Sequence, residues 1–79
     1  MKVTETYIAA LNALIRSAKL YQRENDMSIY RQEFNEAYGM VKGLYMMDFL
    51  DDKTFGYITD KVCRLTEVTE DDFFKFKSE

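Results

Sequence analysis

The sequence predicts an all-α fold, a small helical bundle that forms a single domain over residues 1–79. The chain contains no proline and only three glycines, so it has no obligatory helix break and few residues suited to tight turns. Apolar residues recur at spacings of three and four along most of its length, as they do on the buried face of a helix. We therefore expect two long antiparallel helices, a third helix and a short C-terminal helix.

Three helix-start signatures support this prediction. In each signature an apolar residue precedes a capping residue, and a second apolar residue follows the cap by four positions. This pattern is a hydrophobic staple around an N-cap, where the capping oxygen accepts a hydrogen bond from a backbone N–H that lacks a partner within the helix. The three capping residues are Thr4, Asp51 and Thr69.

The first predicted helix runs from Glu5 to Arg23. Its apolar stripe steps by four, three, four and three residues, which is typical of an amphipathic helix. The stripe consists of Tyr7, Leu11, Leu14, Ala18 and Tyr21. The polar run that follows predicts a connection, and either Asp26 or Ser28 caps the next helix.

The second predicted helix runs from Met27 to Asp48 and has the widest apolar surface in the chain. With its flanking residues, the apolar arc covers about 200° of the helix, which indicates a central helix with more than one neighbour. The main stripe consists of Met27, Tyr30, Phe34, Ala37, Val41, Leu44 and Met47. We expect it to pair antiparallel with the first helix, while the third helix closes the groove between them.

The third predicted helix runs from Asp51 to about Thr66, and a short fourth helix follows from Glu70 to Lys77. The segment from Thr69 to Asp72 fits the capping-box pattern, and acids in a first turn suit the helix dipole. The alternative for residues 70–79 is a frayed tail rich in phenylalanine.

The composition excludes most enzyme chemistry. The chain has no histidine, one cysteine and no glycine-rich phosphate loop, so it lacks the usual general base near neutral pH and the commonest transition-metal ligand. We therefore predict a protein that is not an enzyme and uses no cofactor or metal. Asp48, Asp51 and Asp52 form an acidic cluster that suits a hard cation. The stronger interpretation is that Asp51 and Asp52 serve the start of the third helix.

Charge and hydropathy indicate the compartment and argue against two classes of partner. The formal net charge of −3 disfavours direct binding to nucleic acid or to an anionic membrane. No apolar run approaches the roughly 18 residues of a membrane span, and the N-terminus lacks the pattern of a signal peptide. The single cysteine gives no sign of an oxidising compartment. We expect a cytoplasmic protein.

Two surfaces are candidates for binding another protein. The first is a stripe on the polar side of the second helix, formed by Gly39, Gly43, Met46 and Leu50. Glycine inside a helix costs about 0.5–1 kcal/mol relative to alanine, so two glycines one turn apart indicate close contact, either with a second chain or with another helix of the same chain. The second surface is acidic and contains Asp60, Glu67, Glu70, Asp71 and Asp72.

A basic face is the third candidate surface. Arg16, Lys19 and Arg23 follow one another at helical spacing on the first helix. This arrangement suits nucleic acid or phosphate. Because the chain is acidic overall, a solvated face or one that pairs with an acidic partner is the favoured interpretation.

The run from Leu50 to Val62, with its capped and Phe55-led helix, resembles the last helix of many small acidic helical proteins on bacterial phages and conjugative elements. In those proteins a long helix also ends just before such a segment, and the resemblance covers residues 27–66. It implies a mobile-element accessory protein. Some small acidic proteins of that class bind and block host defence nucleases, so it also implies an inhibitor of the anti-CRISPR kind.

The sequence thus supports three functions in order of preference. The first is a non-enzymatic protein–protein interaction module that forms a homodimer through the second helix. The alternative is an acidic inhibitor that occupies the basic groove of a nucleic-acid enzyme. Direct DNA binding is the third. The basic residues of the first helix would support it, but the net negative charge of the chain opposes it.

Overall fold

The computed structural model describes residues 5–76, which form four helices and no strand. The helices are α1, Glu5–Arg23; α2, Met27–Met46; α3, Asp52–Cys63; and α4, Glu70–Phe74. The predicted fold class, a small all-α bundle with two long helices, a third helix and a short C-terminal helix, is confirmed.

The two long helices form an antiparallel hairpin. The Ser17 hydroxyl of α1 donates a hydrogen bond to the Glu33 carboxylate of α2 over 3.1 Å, and the two residues lie at equal distances along the chain from Asn25 in the connection. Helix α1 packs along α2, α2 packs on α3, and α3 packs on α4. Helix α2 therefore has neighbours on two sides, as its wide apolar arc predicts.

The core is built from most of the predicted apolar stripes, but Met27 and Met47 of the second stripe are 45 % and 65 % exposed and lie outside it. Residues from all four helices and from both connections around α3 are buried in one cluster. They are Leu11, Ile15, Ala18, Ala37, Val41, Leu44, Leu50, Ile58, Val62, Leu65, Val68 and Phe73. Half-buried aromatic rings close its edges, among them Tyr45, which stacks on Phe55 with ring centroids 4.2 Å apart.

The helix starts are formed by the residues that the sequence indicates. Asp51 caps α3 by accepting a hydrogen bond from the Thr54 N–H over 2.7 Å. Asp26 rather than Ser28 caps α2, because the Asp26 carboxylate accepts from the Ile29 N–H over 3.3 Å. The signature at Thr4 lies outside the described residues.

Helix α4 begins at a capping box formed by Thr69 and Asp72. The Asp72 carboxylate accepts a hydrogen bond from the Thr69 N–H over 2.8 Å. Phe73 is 1 % exposed and lies edge-on to Tyr7 of α1, with ring centroids 6.2 Å apart. Residues 70–74 are therefore a packed helix and not a frayed tail, while the predicted end at Lys77 lies outside the described residues.

The three longer helices all end in the same way. In each, one residue beyond the helix adopts a positive φ, and two backbone N–H groups bond back to the last turn, which is the Schellman motif. After α2, the Asp48 N–H donates to the Tyr45 carbonyl over 3.1 Å and the Phe49 N–H donates to the Leu44 carbonyl over 2.9 Å. The positive-φ residues are Asn25 at 60°, Asp48 at 64° and Leu65 at 56°.

These motifs shorten two helices relative to the sequence prediction. Helix α2 ends at Met46 and not at Asp48, and α3 ends at Cys63 and not near Thr66. In both, the chain turns into the left-handed region within two residues of the helix end, so the helical hydrogen bonds cannot continue.

Candidate interaction surface

Helix α2 presents a strip of glycine and methionine on the side that faces away from the core. At 100° per residue, Gly39, Gly43 and Met46 fall within about 60° of one another, on the side opposite Val41 and its buried neighbours. Gly39 and Met46 are exposed and Gly43 is half-buried. Met46 is 72 % exposed, the highest value among the large apolar side chains of the described residues.

The two glycines face open space. A Cβ atom added at Gly39 or at Gly43 would meet no atom of another described residue within 4 Å, apart from the excluded local backbone. The interpretation in which α1 or α4 packs closely on these glycines is therefore wrong. The outward face of α2, by which we mean Gly39, Gly43, Met46 and the exposed residues beside them, has no partner among residues 5–76.

Leu50 does not belong to this strip. It follows the end of α2, is 7 % exposed and contributes to the core cluster. The sequence places it on the strip only if α2 continues to residue 50, and the left-handed turn at Asp48 prevents that. Met47, the residue that follows α2, is also exposed. Methionine is flexible and polarisable, so it adapts to varied partner surfaces.

Charged residues flank the strip on both sides. Arg31, Glu36 and Lys42 are exposed on α2. None of the three forms a salt bridge within residues 5–76, where the ion pairs involve other residues. Their charges are therefore available to a partner that approaches this face.

Most of the predicted acidic surface is neutralised inside the chain. Glu67 pairs with Arg16 of α1 at 2.8 Å, and Asp60 pairs with Arg64 one turn further along α3 at 3.1 Å. Both pairs are exposed, so each stabilises the fold by less than about 1 kcal/mol. They nevertheless lower the net negative charge that these two acids offer to a basic partner.

Asp72 is not a surface residue. It is 7 % exposed, and its carboxylate accepts hydrogen bonds from the Lys61 ammonium and from the Thr69 N–H, both over 2.8 Å. Of the five predicted acids, only Glu70 and Asp71 are exposed and carry no ion pair with a described residue. The five acids therefore do not converge on one open acidic face.

The surroundings of Asp72 decide its ionisation. Burial opposes the charged form, but the hydrogen bonds from Lys61 and from the Thr69 N–H outweigh it, so the pKa of the Asp72 carboxyl is lowered. The hydrogen bond between Lys61 and Asp72 also raises the pKa of the Lys61 ammonium. Both groups are charged near neutral pH and hold α4 on α3.

The basic face of α1 is also reduced by pairing within the chain. Arg16 is engaged with Glu67, while Lys19 and Arg23 are exposed on the same helix. This pairing joins one residue from the predicted basic face to one from the predicted acidic face. Two exposed cations on one helix are a small electrostatic footprint for nucleic acid.

The acidic cluster beside α3 is occupied by structural interactions. Asp51 caps α3, and the Tyr45 hydroxyl donates a hydrogen bond to the Asp52 carboxylate over 2.6 Å. This bond raises the pKa of Tyr45. Within residues 5–76, no group of three or more His, Cys, Asp and Glu side chains is arranged to hold a metal ion.

Comparison with known proteins adds no function to these surfaces. No protein family matches the chain, and neither curated proteins nor solved structures include one with significant similarity to it. Among the described residues, no helix combines the length and apolar character that crossing a membrane requires.

Proposed function

We propose that this protein is a non-enzymatic protein–protein interaction module that forms a homodimer through the outward face of α2. The observation that carries the proposal is the pair Gly39 and Gly43, which lie in the C-terminal half of a 20-residue helix and face open space. Met46, at the end of the same strip, is the most exposed large apolar side chain described.

Helix energetics support a role for the two glycines in contact with a second chain. Each interior glycine makes a helix about 0.5–1 kcal/mol less stable than alanine does, and alanine fits at both positions without a clash. The fold of one chain therefore gains nothing from either glycine. Contact with a second helix is favoured by the glycines, because the absence of side chains allows the two backbones to approach closely.

Sedimentation equilibrium at micromolar concentration tests the proposal directly. We expect the wild-type chain to sediment as a dimer and the Gly43→Leu variant as a monomer, because the leucine side chain occupies the contact. A Cβ atom at Gly43 meets no other described residue within 4 Å, and leucine favours a helix more than glycine does, so we expect Gly43→Leu to keep the helix content. A wild-type monomer at these concentrations, with Gly43→Leu unchanged in mass, contradicts the proposal.

Alanine substitutions provide a second test, because they should make the single chain more stable and the dimer less stable. Gly39→Ala and Gly43→Ala should each raise the free energy of unfolding of the single chain by about 0.5–1 kcal/mol while weakening the dimer. Gly56→Ala is the matched control, because Gly56 is also a helical glycine that faces open space but lies on α3. It should stabilise the chain and leave association unchanged.

A mobile-element accessory role fits this proposal, since such proteins act by binding other proteins. Inhibition of a nucleic-acid enzyme through the acidic residues is the weaker candidate, because three of the five acids have partners within the chain. It depends on the exposed pair Glu70 and Asp71. Retention of a basic nucleic-acid enzyme on the immobilised protein, with competition by DNA, would favour this candidate.

A further inference from the structure

We propose that the free end of the α1–α2 hairpin binds an acidic amphipathic helix of a partner protein. By this end, the hairpin tip, we mean residues 17–33, which comprise the end of α1, the connection and the start of α2. The tip is a second surface with a different partner, so the proposal does not depend on the homodimer.

Helix α3 is shorter than both helices of the hairpin and ends part of the way along them. Phe55 of α3 lies against Tyr38 and Tyr45 of α2, with ring centroids 6.5 and 4.2 Å away. About 12 Å of helix follow Phe55, so Cys63, the last residue of α3, lies at about the level of Phe34 on α2.

The connection from α3 to α4 meets α1 at the same level. The hydrogen bond between Ser17 and Glu33 places Arg16 of α1 level with Phe34 of α2. Arg16 pairs with Glu67, which lies in that connection. Each helix of the hairpin therefore extends about 10 Å beyond α3 and its connection.

On α1, the tip repeats positions that contact this connection. Residues seven apart on a helix lie within about 20° of one another. Lys19 therefore continues the position of Asn12, whose amide bonds to Val68. Arg23 continues the position of Arg16 in the same way.

On α2, the row of residues that packs on α3 also runs past the end of α3. Arg31 continues the position of Tyr38, which contacts Phe55. Met27 continues the position of Phe34, which is partly buried against the core. Met27 itself is 45 % exposed. The surface suited to a third helix is therefore longer than α3 and is open at the tip.

Positive charge on this side of the tip defines the chemistry of the partner. Three cations there are exposed and form no ion pair with another described residue, namely Lys19, Arg23 and Arg31. At the equivalent position lower on α1, Arg16 pairs with the Glu67 carboxylate at 2.8 Å. Carboxylates are therefore the groups that suit the tip.

The acids of the tip do not neutralise these cations. Asp26 caps α2, and Glu33 accepts a hydrogen bond from Ser17. Glu24 lies seven residues beyond Ser17, on a side of α1 that is about 140° from Asn12. The three cations thus remain open to a partner.

The apolar part of the surface favours a protein over a nucleic acid. Met27 and the half-buried ring of Tyr30 provide an apolar contact on the same side of α2. An amphipathic helix can place apolar side chains there and carboxylates beside the cations. The net charge of −3 opposes the approach of nucleic-acid phosphates.

A designed peptide tests the surface directly. The probe is a fluorescein-labelled helical peptide with leucine along one face and glutamate along the other, and fluorescence anisotropy measures its binding. We expect saturable binding that Lys19→Glu and Arg31→Glu each weaken about fivefold, because like charges then meet. Met27→Gln should weaken binding too, because it removes the exposed apolar contact. Circular dichroism of the variants should show unchanged helix content.

Lys42→Glu is the matched control. Lys42 is exposed on α2 and lies about 16 Å along the helix from Arg31, so its reversal makes the same change of net charge away from the tip. It should leave binding unchanged, whereas a peptide with glutamine in place of glutamate should bind the wild-type chain more weakly.

Three results would overturn the proposal. The first is the absence of saturable binding by the glutamate peptide, and the second is an equal loss of binding in Lys42→Glu. The third is binding of a short DNA duplex that is tighter than that of the peptide and is lost in Lys19→Glu, since the tip would then be a surface for nucleic acid.

Discussion

Asn12 fastens the connection between α3 and α4 to α1 through both polar groups of its side-chain amide. The amide N–H donates to the Val68 carbonyl and the amide oxygen accepts from the Val68 N–H, each over 2.8 Å. Val68 itself is buried, so these backbone groups have no access to water as a substitute partner. Asn12 thereby provides hydrogen-bond partners for the N–H and the carbonyl of Val68, which lie outside the helices.

Asn12→Ala should lower the free energy of unfolding by about 2–4 kcal/mol, because it leaves a buried donor and a buried acceptor without partners. Urea denaturation followed by circular dichroism measures the change. Gln22→Ala is the control, since it removes an exposed amide from the same helix and should change stability by less than about 0.5 kcal/mol. Equal effects of the two substitutions would show that the amide bonds to Val68 contribute nothing.

Single residues were predictable from the sequence where their partners are local. The caps at Asp51 and Asp72 follow from spacing alone, because each side chain bonds to a backbone group three residues away. The bonds between Asn12 and Val68 join residues 56 positions apart, and no local pattern marks them. The sequence gives one signal for these bonds: Asn12 is a polar residue on the side of α1 that is otherwise apolar and faces the core.

At the level of the helices, starts were more predictable than ends. A helix start is signalled by a capping side chain, whereas an end is signalled mainly by glycine at the position with positive φ. Here that position holds Asn25, Asp48 and Leu65, so the usual signal is absent. For this reason the sequence predicts ends for α2 and α3 that lie beyond the observed ends at Met46 and Cys63.

Glycine at two of these positions should change stability in opposite directions. Asp48 is exposed, so Asp48→Gly relieves the left-handed backbone, removes an acid from a helix C-terminus and should stabilise the chain by about 0.5–1 kcal/mol. Leu65 is 7 % exposed, so Leu65→Gly loses more from burial than it gains from the backbone and should destabilise by about 1–3 kcal/mol. Thermal denaturation of both variants measures the difference, and the same sign for both would contradict the account.

Helix α4 depends on the charged state of Asp72. Folding lowers the pKa of the Asp72 carboxyl. Its contribution to stability is therefore present at a pH above the unfolded pKa of about 3.9, and it is lost as the pH falls through the lower pKa of the folded chain. Asp72→Asn keeps the shape of the cap but removes the ion pair with Lys61. It should lower the free energy of unfolding by about 1–2 kcal/mol at pH 7.

The pH dependence separates this effect from a packing defect. The difference in unfolding free energy between wild type and Asp72→Asn should shrink as the pH falls below about 4, because the wild-type carboxyl takes up a proton first in the unfolded chain and, at lower pH, in the folded chain as well. A difference that stays constant from pH 7 to pH 3 would indicate that the ion pair does not hold α4.

For the whole molecule, the fold was predictable because apolar periodicity specifies which face of each helix is buried. The outward face of α2 was predictable in part, since the spacing of Gly39, Gly43 and Met46 marks it. The sequence could not decide whether another helix of the chain covers the glycines, because that depends on the direction in which each helix packs. It also overestimated the acidic surface, since Arg16 and Lys61 reach acids that are distant in sequence.

We propose above that the outward face of α2 binds a second copy of the chain. The most direct test is the mass of the protein in solution. A sedimentation-equilibrium series from nanomolar to micromolar concentration should show a chain of 9.4 kDa passing to twice that mass. The transition should move to higher concentration for Gly39→Ala and Gly43→Ala and stay in place for Gly56→Ala. A constant mass of one chain at every concentration would contradict the claim.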